Sequence, residues 1–211
     1  MRKFHYFWKN SYEYPKPNYK LKIKDGKDLY GRSQFKLRSD FTEPPFLRTK
    51  LVSDIHNRLG LPSISSYYMQ LYFNDEYMGL YIITDIYKLS WAEKVFNDKD
   101  AKNLYKCIYS QLKEDDISGC ENENSDVTDQ SEWVDFLKRI NNAESESDIE
   151  DILNINQLTK MALEYLLGSW DHIIDGQNYY MYKPKKWKMD IFISWLWLWY
   201  RYVKYDIRIT L

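Results

Sequence analysis

Between Gly168 and Tyr182 the chain reads Gly-Ser-Trp-Asp-His-Ile-Ile-Asp-Gly-Gln-Asn-Tyr-Tyr-Met-Tyr. Asp171, followed a few residues later by Asn178 at the start of an aromatic run, is a pair that could serve phosphoryl transfer. In that chemistry a carboxylate orients an acceptor hydroxyl and takes its proton, and an amide oxygen ligates a magnesium ion on the phosphates. Both residue types also favour turns through local hydrogen bonds, so a helix-end and turn pair is the competing explanation. Other chemistries have less to draw on. His5, His56 and His172 are widely separated, and Cys107 and Cys120 match no zinc spacing. These two cysteines read equally as a structural disulfide or as two free thiols.

The elements that must carry these residues follow from periodicity. Tyr19 to Lys24 alternates apolar and lysine positions and closes at Asp25-Gly26, as a strand with one greasy and one Lys-lined face does. Gln34 to Arg38 alternates likewise. Leu47, Leu51, Ile55 and Leu59 recur every fourth residue before Gly60 and Pro62, which predicts an amphipathic helix. Tyr67–Phe73 and Tyr77–Ile83 flank Asn74-Asp75 and predict a hairpin, with Gly79 marking a bulge or a close backbone approach. Asn103–Ile108 predicts a short strand. Trp133, Leu137 and Ile140 predict a short helix, and Leu158, Met161, Ala162, Tyr165 and Leu166 a longer one ending near Gly168. A last hairpin is expected from Asn178–Tyr182 and Trp187–Phe192. Antiparallel strand pairs with interspersed helices give an α+β class.

The 211 residues fit one domain with a buried core, and 44% hydrophobic and 18% aromatic residues exclude a disordered chain. A formal net charge of −1 removes bulk electrostatics as a reason to expect nucleic acid. The charge is uneven, however. Residues 1–50 hold 13 Lys/Arg against 5 Asp/Glu, and residues 114–151 hold 2 against 14. Such an acidic block reads as a solvated insertion, or less often as a docking surface for a basic partner. The N-terminus has no apolar stretch of the kind a secretory signal needs. The most apolar run, Ile191–Tyr202, is too short to span a bilayer.

Several blocks, in order, resemble the CotH (spore-coat protein H) kinase family, in the form seen in fungal members. They are Asn18-Tyr-Lys-Leu-Lys-Ile-Lys, Asp28-Leu-Tyr-Gly-Arg, Phe35-Lys-Leu-Arg-Ser-Asp, Phe46-Leu-Arg-Thr-Lys-Leu and Arg58-Leu-Gly-Leu-Pro. Leu71 to Tyr81, Lys88-Leu-Ser-Trp, Leu167-Gly-Ser-Trp-Asp-His and Asn178-Tyr-Tyr-Met-Tyr-Lys complete the set. The resemblance runs from about Asn18 to Met189. It implies an atypical protein-kinase-like fold that moves the γ-phosphate of ATP, with magnesium, to Ser or Thr of coat or surface proteins. By position it makes Asp171 the catalytic Asp and Asn178 a magnesium ligand. It places Lys20 or Lys22 on the nucleotide phosphates, a role weighed against a solvated strand face. It also puts Asp85, where the family usually has Glu, beside that lysine.

The resemblance stops abruptly. The family continues to an Asp-x-Asp segment carrying a second magnesium ligand, which would fall near Ile193 or Ser194. Asp190, the nearby carboxylate, comes too early, and in a strand a one-residue slip reverses the side-chain face. The expected organisation is thus a partial kinase-like domain over 1–192, with an acidic insertion at about 110–151 and a divergent aromatic tail at 193–211. The tail reads as a true strand, an interface segment or an out-of-frame end of a truncated chain. The resulting expectation is a CotH-type kinase, weak or inactive as it stands. The alternative is a non-catalytic surface adhesin or interaction module, and carbohydrate binding through Tyr and Trp has the least support.

Overall fold

The computed structural model describes residues 3–6, 16–24, 28–41, 45–154, 156–168, 172–173, 175–185 and 188–193. Asp171 and the tail from residue 194 onward lie outside them. The described chain forms two compact units. One is drawn mainly from residues 1–104, the other from residues 105–121, 129–181 and 188 onward.

The first unit is built on a five-stranded antiparallel sheet. Its strands are β1 (Lys3–Tyr6), β2 (Tyr19–Lys22), β3 (Gln34–Arg38), β4 (Ser66–Phe73) and β5 (Glu76–Thr84), in the order β1-β2-β3-β5-β4. The expected strands at 19 and 34 and the expected hairpin all form. Asn74 and Asp75 close the hairpin, with φ of 47° and 69°, the left-handed pair that a two-residue turn between twisted strands requires. Leu71 faces Gly79 while Tyr72 faces Tyr77, so Met78 is the extra residue of a bulge. Gly79 sits there at φ 102°, a conformation that L side chains resist.

Helix α1 (Arg48–Arg58) lies in sequence between β3 and β4, within the bounds its leucines predicted. Its buried residues, however, are Val52, Ser53 and His56, whereas Leu47, Leu51 and Leu59 are exposed. Polar anchoring accompanies this orientation: Ser53 Oγ donates to Ile64 O at 3.0 Å, and His56 Nδ1 lies 2.9 Å from Val52 O. Helix α2 (Leu89–Phe96) follows β5 and buries Trp91 and Ala92.

The second unit holds a sheet made of β6 (Leu104–Cys107), β7 (Cys120–Asn122), β8 (Tyr179–Tyr182) and β9 (Asp190–Ile193), in the order β7-β6-β8-β9. Its core gathers Tyr105, Trp133, Phe136, Leu137, Tyr179 and Met181, among others. Tyr105 and Phe136 stack on the two sides of Trp133, at 4.7 and 5.3 Å between centroids. Cys107 and Cys120 form a disulfide within this core, which resolves the alternative that the sequence left open.

The acidic segment supplies α3 (Ser131–Asn141) and α4 (Glu146–Ile152), with Trp133 and Leu137 turned inward. Its charges are placed to favour helices. Ser145 and Asp148 cap α4 reciprocally, and Lys138 and Arg139 occupy the last turn of α3. Helix α5 (Asn156–Leu166) ends just before Gly168, as expected, but its apolar residues are turned outward. Leu158, Tyr165 and Leu166 are 61%, 79% and 74% exposed, whereas Lys160 and Glu164 are only 2% and 1% exposed. No helix among the described residues is long and apolar enough to cross a membrane.

Candidate functional site

Strand register decides which candidate residues share a surface. Tyr19 lies opposite Leu37, Lys20 opposite Lys36, and Lys22 opposite Gln34, and directly opposed residues of an antiparallel pair project to one side. One side of the sheet therefore carries Tyr19, Leu37 and Tyr81, which pack in a single apolar cluster. The other carries Lys20, Lys22, Lys36 and Arg38. Lys22 is exposed and Lys20 is half-buried.

The lysine side extends beyond the two residues singled out from sequence. Placing Lys20 directly across from Lys36 is unfavourable for two cations unless negative charge is near. Next to them Arg38 is half-buried, and desolvation lowers its pKa while Asp40 opposes that shift. The Arg38 Nε sits 3.8 Å from Asp40, which accepts a 2.8 Å hydrogen bond from Thr49 Oγ1 of α1. Lys36 and Arg38 were legible in the alternation of Gln34–Arg38, but single-strand motif reading gave no reason to look beyond Lys20 and Lys22.

Asp85 does not join the lysines. It follows β5 and meets Arg32, whose Nε lies 3.5 Å from its Oδ1. The partnership with Lys20 or Lys22 that the resemblance implied is replaced, because β5 leaves the sheet with Asp85 turned to the side of Phe35 and Ile83. Burial raises the Asp85 pKa, and Arg32 and Lys94 counter it in part. Arg32, Asp85 and Lys94 line a cavity of about 550 Å³ whose walls include Leu29, Phe35 and Ile83. Lys94 Nζ donates to the carbonyl of Tyr30 on its rim. Thr84 also contributes to the lining, and its Oγ1 and Arg32 Nε are buried without a hydrogen-bond partner among the described residues. Such a cavity, apolar with a few convergent polar groups, has the make-up of a small-molecule site.

Asn178 belongs to the second unit. It is half-buried, at φ 52°, one residue before β8. Tyr179, next in the chain, donates its hydroxyl to Ser110 O at 3.0 Å, which holds the start of the strand. Gly176 packs so closely that an added Cβ would stand 2.7 Å from Ser110 O. Asp190 opens β9 and is 2% exposed. Its charge acts on buried Lys160, whose pKa is lowered to about 8 by burial against the opposing effect of Asp190. Among the described residues no three His, Cys, Asp or Glu side chains cluster as a metal site.

Among the described residues two sheets and five α-helices define an α+β protein with a cationic sheet face and a separate polar-edged cavity. The family model for CotH kinase protein matches residues 5–195. The chain therefore belongs to the CotH kinase family. Comparison with curated proteins returned no match.

Proposed function

We propose that this chain is a protein-kinase-like phosphotransferase domain of the CotH type, acting on Ser or Thr of coat or surface proteins. The observation that carries this reading is the cross-strand juxtaposition of Lys20 and Lys36, beside Arg38, on one sheet face. A row of cations on one half-buried sheet face suits a polyphosphate. The chain order β2-β3-α1-β4-β5 supports it further, since protein kinases place the phosphate lysine on the strand that precedes such a helix. Lys36 thus joins Lys20 and Lys22 as a phosphate contact.

Asp171 takes the acceptor-hydroxyl proton and Asn178 offers an amide oxygen to magnesium. Bound magnesium would neutralise phosphate charge during transfer. The residues fit the nucleotide better than they fit a second metal contact. Asp190, the carboxylate nearest in sequence to the family's Asp-x-Asp segment, is buried beside Lys160. Loss of one such charge-stabilising group lowers rate on the order of a hundredfold, so transfer is slow in this chain.

That burial of Asp190 also favours the second reading, a non-catalytic interaction module. Incubation with magnesium and labelled ATP, beside an Asp171→Asn variant, separates the two. Transfer that disappears in the variant supports the kinase. Absence of both transfer and ATP binding overturns it and leaves the interaction module.

A further inference from the structure

The inverted helix α5 raises a physical question. Its carboxylate Glu164 is buried to 1% exposure, in the last turn of the helix. Burial removes hydration, and the negative end of the helix dipole opposes a carboxylate there. A placement with two unfavourable terms persists when the group is committed to a specific contact. That contact is His172, itself 0% exposed, whose Nδ1 lies 3.5 Å from Glu164 Oε1, close enough for charge interaction although Oε1 accepts no hydrogen bond among the described residues.

His172 is the chain neighbour of Asp171 and the first fixed point of the loop that ends at Asn178. Its carbonyl accepts from Gln177 N at 2.9 Å, and Gly176 N donates to Ile173 O at 3.2 Å. Gly176 O in turn accepts from Ser110 N at 2.7 Å. The loop is therefore held at one end through the His172 ring and at the other through the Gly176 carbonyl. One turn earlier on α5, Lys160 Nζ donates to Ile191 O on β9 at 2.8 Å. The buried, charged side of α5 thus reaches the segment before Asn178 and β9, the neighbour of β8 in the sheet order.

We propose that Glu164 is a positioning residue for the segment that runs from His172 to Asn178, next in the chain to Asp171, acting through His172. The proposal rests on the phosphotransfer reading for the role of Asp171, but its structural half stands by itself. Glu164 faces Nδ1 and so favours the tautomer in which Nδ1 carries the proton. Nothing reacts at Glu164; it holds a backbone segment through an imidazole.

The test compares wild type, Glu164→Ala and Glu164→Gln by hydrogen exchange, by ¹⁵N shifts of the His172 ring and by ATP transfer kinetics. In Glu164→Ala the amides of 172–178 should exchange about tenfold faster, as expected when a buried donor loses its partner. The wild-type ring should carry a proton on Nδ1, and in Glu164→Ala the neutral ring should shift toward the Nε2–H tautomer. Glu164→Gln keeps an acceptor oxygen and should restore both signals to within about twofold of wild type. The transfer rate should fall about tenfold in Glu164→Ala with KM for ATP little changed. Unchanged loop exchange in a folded Glu164→Ala overturns the proposal. So does a wild-type ring lacking a proton on Nδ1, a measurement that does not require the variant to fold. If wild type transfers no phosphate while the exchange and tautomer signals behave as stated, the kinase reading fails and the anchoring of the loop by Glu164 survives.

Discussion

Lys160 Nζ sits 4.3 Å from the centroid of the Phe192 ring and donates to the carbonyl of the intervening strand residue Ile191. Desolvation there lowers its pKa from 10.5 to about 8. At neutral pH the ammonium is charged in both folded and unfolded chains, and its burial counts against the fold. Between the two values the unfolded chain holds a proton that the folded one releases, so stability rises with pH. The gain from pH 7 to 9.5 is about 2 kcal/mol. Above pH 10 the slope reverses, because burial raises the pKa of Tyr81, Tyr87 and Tyr182 above that of the unfolded chain. Urea midpoints should therefore peak near pH 9.5, and Lys160→Met should flatten the rise. A wild-type midpoint that falls steadily from pH 7 to 9.5 contradicts this.

The Cys107–Cys120 bond closes a loop with a sequence separation of 13 inside the second unit. Loop-closure arguments assign such a cross-link about 3 kcal/mol. Reduction should lower the urea midpoint accordingly, and the double Cys→Ala variant should reproduce that loss without reductant. Equal midpoints for the oxidised and reduced protein would show that the bond constrains nothing in the unfolded chain.

Arg32→Met should leave the Asp85 carboxyl buried with Lys94 as its remaining cationic neighbour. The expected loss is about 2 kcal/mol at pH 7, the usual cost of stranding a buried charged partner. Asp85 already has a raised pKa, so protonation at low pH should relieve part of the loss. Thermal unfolding of wild type and variant at pH 7 and pH 4 checks this. The gap between them should narrow at pH 4.

In the hairpin turn, Asp75 holds φ 69°, a region where Gly has no Cβ penalty. Asp75→Gly makes the Asn-Gly pair that such turns prefer and should add about 0.5–1 kcal/mol. A rise in Tm of a few degrees is the expected readout, and a decrease counts against the turn geometry.

The β4–β5 hairpin and strands β2, β3, β6, β8 and β9 were legible because alternation and turn residues are local signals. The bounds of α1, α3 and α5 were legible for the same reason, whereas α2 and α4 were not expected. Which face a helix buries was not legible. In α1 the leucine stripe is outside and His56 inside, and in α5 Lys160 and Glu164 replace Leu158 and Leu166 as the inward residues. Periodicity measures a stripe, but polar partners such as Ile64 O, Ile191 O and His172 can select a different one.

The site shows the same division. Lys20 and Lys22 could be placed on a strand face from their spacing alone. Lys36 as the residue opposite Lys20, and Arg32 as the partner of Asp85, required the register between strands and a loop conformation. Asp171 was found by motif and resemblance, and it lies outside the described residues.

Among the described residues strand β4 lies at the end of its sheet order, and it reads Ser-Tyr-Tyr-Met-Gln-Leu-Tyr-Phe. It contains neither a charge nor a proline, the two devices that ordinarily blunt an outermost strand. Its backbone is therefore a ready template for another extended chain, and colloidal behaviour becomes a matter of crowding as much as of folding. Purification yield should respond to protein concentration more sharply than to temperature. A single lysine introduced at Gln70 is the economical remedy.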